Sequence, residues 1–162
     1  MTYETSTYFI KGQLKDITGE KLLLLYKDAL KAQSVSSFYI QGNAIHFTNS
    51  SLSAFLNQRF SKFSDFSDGS ISIEENETDF IVFFSGNIKR LYTVPAIIAG
   101  IAGLFFLIGS RFDLNALLVA PIVFIFFTAI KFLFVYVFFP VYFTSLRNNI
   151  ELKYRDRSYG RR

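Results

Sequence analysis

Side chains able to do chemistry are few in this sequence, and none falls in a pattern that chemistry requires. His46 is the sole histidine. It alternates with Ile45 and Phe47 in a run of strand periodicity, which turns it toward solvent. The chain has no Cys, so disulfides, thiolate nucleophiles, Cys-ligated zinc and iron–sulfur clusters are all excluded. A lone His without a neighbouring carboxylate cluster has no donor set for a metal. Glu74, Glu75, Glu77 and Asp79 gather in an acidic turn, yet the spaced Asp/Asn, Gly and Glu of a calcium loop are missing. There is no Walker loop, dinucleotide fingerprint, G-x-S-x-G, H-E-x-x-H or kinase motif. The expectation is a non-enzyme without a cofactor and without an identifiable small-molecule substrate.

One charge stands out by its surroundings. Lys131 is the only charged residue between Asp113 and Arg147. An ionisable group in such a stretch is costly and often functional. Three roles are open to it: snorkelling to headgroups, contact with another helix or partner, or transport.

The elements that must position these residues follow from composition. Hydrophobic residues make up 51% of the 162, aromatics 19% (21 Phe), and mean hydropathy is +0.30. A soluble chain of this size cannot bury that much apolar surface. The excess begins after Lys89. Leu91 to Ser110 is uncharged and, at about 1.5 Å per residue, long enough for a 30 Å hydrocarbon core. Pro95 is read in the first turn of that helix, where its missing N–H costs little. Asn115 to about Phe139 makes the second crossing. Pro140 then ends or kinks it, and Val141 to Leu146 lie near the interface. The short Ser110–Asn115 connection predicts an antiparallel hairpin.

Basic residues set the direction. Lys89 and Arg90 precede the first helix, and Arg147, Lys153, Arg155, Arg157, Arg161 and Arg162 follow the second, against Arg111 alone in the turn. The excess predicts an inner-membrane, two-pass protein with both termini cytoplasmic. The tail, 144–162, is expected to contact anionic lipid, with nucleic acid a much weaker reading. Met1 to Gln13 lacks the basic start and apolar core of a signal peptide. In the first helix, Ala96-xxx-Gly100 and Ala99-xxx-Gly103 have the spacing that lets helix backbones approach, either within the hairpin or toward another subunit.

Residues 1–88 are mildly acidic, with seven Lys/Arg against ten Asp/Glu. Tyr3–Ile10 reads as a strand. Gly19–Gln33 reads as a helix with Leu22, Leu25, Tyr26 and Ala29 on one face and Thr18 or Asp16 as cap. Ser36–Gln41 and Ala44–Thr48 form a hairpin around Gly42-Asn43. Leu52–Phe63 fits helical spacing, and Ser70–Glu75 and Thr78–Ser85 read as strands, the last central because it is apolar on both faces. The order β-α-β-β-(α)-β-β gives an α+β domain with an antiparallel-rich sheet, followed by the transmembrane hairpin of 89–143. Asn49-Ser50-Ser51 and Asn76-Glu77-Thr78 fit the glycosylation sequon.

The function expected from this layout is a membrane-tethered interaction, regulatory or accessory-subunit module, with a membrane protein or a second copy as partner. An oligomeric pore-forming or transport protein and an immunity-type membrane protein are the alternatives. The hairpin and basic tail look like some phage holins, from which the large N-terminal domain departs.

Overall fold

Alternating polar and apolar residues make the sheet, and a 3.6-residue apolar stripe makes the helix that covers it. The computed structural model describes residues 1–33, 35, 37–49, 62–109 and 118–155. Within them the strands are β1 (Thr2–Ile10), β2 (Ser37–Gln41), β3 (Ala44–Thr48), β4 (Asp68–Glu75) and β5 (Asp79–Asn87). The helices are α1 (Gly19–Ala32), α2 (Arg90–Gly109), α3 (Val119–Leu133) and α4 (Phe139–Tyr154), with one π-helical turn, Phe134–Phe138, joining α3 to α4. The domain is α+β. Its five strands form one antiparallel sheet in the order β1-β5-β4-β3-β2.

Strand β5 is an interior strand, paired with β1 on one side and β4 on the other. It pairs with β1 over the full length from Thr2↔Asn87 to Ile10↔Asp79. The β2–β3 hairpin turns at Gly42-Asn43, and only Gly42 takes a positive φ, +58°. Gly at the first central position is the II′ pattern, which matches the twist of the flanking strands. Asn43 then extends the ladder, its Nδ2 donating to the Ile73 carbonyl at 2.6 Å.

Helix α1 starts where the Thr18 hydroxyl accepts from the Lys21 N–H at 3.2 Å, and it ends at Ala32. It buries Leu22, Leu23, Tyr26 and Leu30. Leu22 and Tyr26 were expected inside, while Leu25 lies at the margin of the core and Ala29 is not among its buried residues. The second helix read at Leu52–Phe63 lies outside the described residues for 52–61. Lys62–Asp65 are a turn.

The helix following α2 is where the structure departs most from the sequence reading. It neither ends at Phe139 nor leaves a tail from 144. Helical conformation continues from Val119 through Tyr154 over 36 residues, about 54 Å at the helical rise. Pro140 has no N–H for the Tyr136 carbonyl and would clash there in a regular helix. The π turn just upstream takes up that mismatch, with the Phe139 N–H bonding back to Phe134 O. Past the proline, Phe143 and Ile150 are buried in the domain core together with Phe139 and Val135. These four lie on one face of the helix, so the C-terminal segment is a core helix of the α+β domain.

Helix α2 begins one residue earlier than expected, at Arg90, with two residues between it and the end of β5. This puts Pro95 in the second turn, where it forfeits the bond to the Leu91 carbonyl. Both α2 and the long helix are long and apolar enough to cross a membrane. Only 22% of the most apolar stretch of α2, and 11% of that of the long helix, is buried within the protein. Ile97, Ile101, Leu104, Phe105 and Phe106 on α2, and Ile122, Ile125 and Phe126 on α3, are exposed. A core helix of a soluble protein buries such residues.

Candidate functional site at the domain–helix junction

The junction is built from the Lys62–Ser67 loop, the start of α2 and the π turn. Phe63 and Phe66 plug this loop into the core. The Phe66 ring meets Phe84 edge-on at 4.9 Å between centroids and Phe139 at 4.8 Å. Asn49, buried at 7% exposure, donates from Nδ2 to the Phe63 carbonyl at 2.9 Å and the Phe66 carbonyl at 3.2 Å. A glycan on that nitrogen is incompatible with both bonds, so the Asn49 sequon is a structural amide here. Its own backbone N–H donates to Ser67 O at 2.8 Å, and Ser67 N–H to Asn87 O at 3.0 Å.

Arg90 locks the same loop from below. Its guanidinium donates to Ser64 O at 3.1 Å and also to the Asn49 carbonyl. It was expected as a topology residue facing headgroups, and its guanidinium has two backbone acceptors in the domain. The loop in turn presents Asp65 to Lys131, and the two form a direct, part-buried ion pair. Lys131 therefore has an intramolecular partner in the N-terminal domain. Of the three roles open to it, the contact role has a partner in the structure. Sequence reasoning missed Asp65, since no periodicity links residues 66 positions apart.

The helix pair has a readable register. Tyr92 meets Phe132 with ring centroids 5.9 Å apart, and a Cβ built on Gly103 would lie 2.9 Å from the Ala120 Cβ. Lys131, adjacent to Phe132, thus lies within about one helical turn of the level of Arg90. The two small-residue pairs divide by face. Ala99 and Gly103 are buried against α3, whereas Ala96 and Gly100 are exposed and nothing lies within 4 Å of a Cβ on Gly100.

The remaining basic residues also divide. Arg147 bonds Tyr8 O at 3.2 Å and Glu151 at 2.7 Å, and lies over the Tyr8 and Phe9 rings, so it fastens α4 to the edge strand β1. Arg155 pairs with Glu151 at 3.3 Å and bridges to Leu14. Lys89 and Lys153 are exposed. Arg157, Arg161 and Arg162 lie outside the described residues. His46 sits on the open face of the sheet, stacked on Tyr39 at 5.1 Å.

Beside the Asp65–Lys131 pair is a cleft of about 240 Å³. Lys62, Ser64, Asp65 and Lys131 form its polar side, and Phe127, Ile130, Phe134 and Phe138 are among its apolar lining. The π turn supplies Phe134, Val135 and Phe138 to it. Deeper in the domain, Tyr26 packs on Phe143 at 5.7 Å, and its hydroxyl is buried without a hydrogen-bond partner among the described residues. Burial pushes its pKa up, with Arg147 opposing. Tyr3, ringed by Phe66, Phe84, Tyr136 and Phe139, is also raised by burial. Among known proteins, the chain matches no family model, no curated protein and no solved structure, so the reading of this junction rests on its own residues.

Proposed function

We propose that this chain is a two-pass membrane protein of the cell's inner membrane. Its α+β domain and both termini are on the cytoplasmic side, and the domain serves as an interaction or regulatory module for a membrane partner. The observation that carries the reading is the long helix. One continuous element is both a candidate span, by its exposed apolar surface, and a core helix of the domain, through Phe139, Phe143 and Ile150. A domain fused to its anchor in this way cannot swing freely. It holds the open face of its sheet, with Tyr8, Tyr39 and Phe83 exposed, at a fixed attitude to the bilayer. Such an arrangement suits recognition of something that is itself in or on the membrane. The basic excess at Lys89, Arg90 and beyond the second span supports the direction.

The natural absence of Cys makes the test direct. Single cysteines at Glu74, in the domain, and at Asp113, in the predicted outer turn, are labelled with a membrane-impermeant maleimide in intact cells and in inverted vesicles. Labelling of Asp113→Cys only in cells and Glu74→Cys only in inverted vesicles is expected. The reverse pattern overturns the topology. Recovery of the protein as a lone monomer from native lipid nanodiscs, in every growth condition tried, overturns the partner reading.

A further inference from the structure

The cleft beside the Asp65–Lys131 pair has a polarity gradient that an empty packing defect would lack. Its domain side carries Lys62, Ser64 and Asp65, and its helix side carries Phe127, Ile130, Phe134 and Phe138 with Lys131 facing Asp65. Its polar lining is not charge-balanced. Asp65 and Lys131 neutralise each other, which leaves Lys62 as the cation of the lining without a carboxylate partner among the described residues. The helix register puts these groups within about one turn of Arg90, the level at which an apolar span gives way to headgroups. From there the exposed side chains of Phe126, Ile125 and Ile122 continue the apolar surface along α3.

Size narrows the occupant. About 240 Å³ falls below the roughly 300–1,000 Å³ of a site that encloses a whole small molecule. The cleft therefore takes part of a ligand whose remainder lies outside, along an apolar surface. An amphiphile with one anionic group and a long chain has that shape.

We propose that this cleft is a binding site for one anionic glycerophospholipid. The phosphodiester is held by Lys62 and the Ser64 hydroxyl beside the ion pair, and an acyl chain runs over Ile130, Phe134 and Phe127. The π turn has a role in this. Its extra residue per turn widens the helix where the Phe134 and Phe138 rings, 5.3 Å apart, pack together along the cleft. A zwitterionic choline headgroup would place a second cation next to Lys62, which disfavours it.

The inference rests on the membrane reading above, and the two fail differently. The full-length protein is purified in mild detergent and titrated with dioleoyl-phosphatidylglycerol, dioleoyl-phosphatidylcholine or inorganic phosphate, and bound species are counted by native mass spectrometry. One phosphatidylglycerol per chain is expected, at least fivefold tighter than phosphatidylcholine, with no retained phosphate. Ile130→Trp, which fills the cleft, and Lys62→Glu, which reverses its charge, are each expected to weaken that binding at least fivefold with unchanged circular dichroism. Leu104→Trp, at an exposed position of α2 that does not line the cleft, is the control and keeps it. Equal binding by the wild type and both cleft variants, equal binding of the two lipids, or retention of detergent only overturns the site. Extraction of the protein from membranes by alkaline carbonate overturns the membrane reading itself.

Discussion

Gly69 and Gly86 stand directly opposite each other across β4 and β5. A Cβ on Gly69 would sit 2.7 Å from Phe47 Cζ, and one on Gly86 would press into the Phe66 ring and lie 2.9 Å from Phe84 Cζ. The paired glycines thin the sheet so that the Phe66 ring can lie on it. Phe66 seats the loop whose neighbouring residue, Asp65, reaches Lys131. Gly86→Ala is therefore expected to cost about 1–3 kcal/mol through overpacking, measured by thermal melting in detergent. A wild-type melting curve would contradict the packing described.

The Asp65–Lys131 pair couples the domain to the long helix. Its side chains are 13% and 31% exposed, so solvent screening moderates its strength. Lys131→Met leaves a part-buried carboxylate unpaired and is expected to cost about 1–2 kcal/mol, less than a fully buried pair would. Adding Asp65→Asn should recover part of that loss. A double-mutant cycle with no coupling energy would remove the pair as a clamp.

Tyr26 carries a buried hydroxyl without a partner among the described residues. Removing it as Tyr26→Phe is expected to leave stability unchanged or raise it by about 1 kcal/mol. The wild type adds a pH signature. Burial raises the Tyr26 pKa above its ordinary 10.0. The unfolded chain then loses this proton near pH 10 while the folded chain keeps it. Stability from this group is complete below pH 10 and declines as pH rises beyond it. Tyr3 acts in the same direction. Melting curves from pH 8 to 11.5 should slope downward above pH 10, and less steeply in Tyr26→Phe. Identical slopes would show that Tyr26 titrates normally.

The two small-residue pairs of α2 should respond oppositely. Gly103→Leu collides with Ala120 and is expected to separate α2 from α3, lowering the melting temperature. Gly100→Leu meets open space and should leave the monomer intact. If crosslinked oligomers disappear in Gly100→Leu alone, the outward pair is a subunit contact. Equal destabilisation by both would refute the facial division.

Phe143→Ala tests whether α4 belongs to the domain core. The ring is 1% exposed and touches Phe84, Phe139 and Tyr26. A loss of about 3–5 kcal/mol is expected, with strand and helix signals melting together. Loss of helix signal alone, with the sheet unaffected, would make α4 an appendage.

Most strands were legible because β-periodicity survives in local sequence. The Gly42-Asn43 turn and the Thr18 cap were legible for the same reason. Two other features were not. Phe139, Phe143, Leu146 and Ile150 continue a helical stripe past Pro140, but a proline is an accurate stop signal only when no upstream turn can absorb it. Here the π turn does, and nothing in Phe134–Phe138 announces that. The partner of Lys131 was hidden for another reason. Asp65 is placed by Phe63, Phe66 and the glycine pair, all of which depend on the finished sheet. A charge between two phenylalanines signals an anchored loop, yet its target is set by tertiary packing alone.

The continuous helix also orders the protein's assembly. Sheet residues such as Phe84 and Tyr3 find part of their cover in α4, which follows both apolar helices in the chain. During synthesis the domain's β-strands emerge first and must wait for that cover. Until α4 is in place, the part of the inner face that α1 leaves uncovered stays open to water and to other unfinished chains. The closed core of the domain thus requires a segment that lies beyond both apolar helices, and a chain cut short before Phe139 would leave Phe84 partly uncovered.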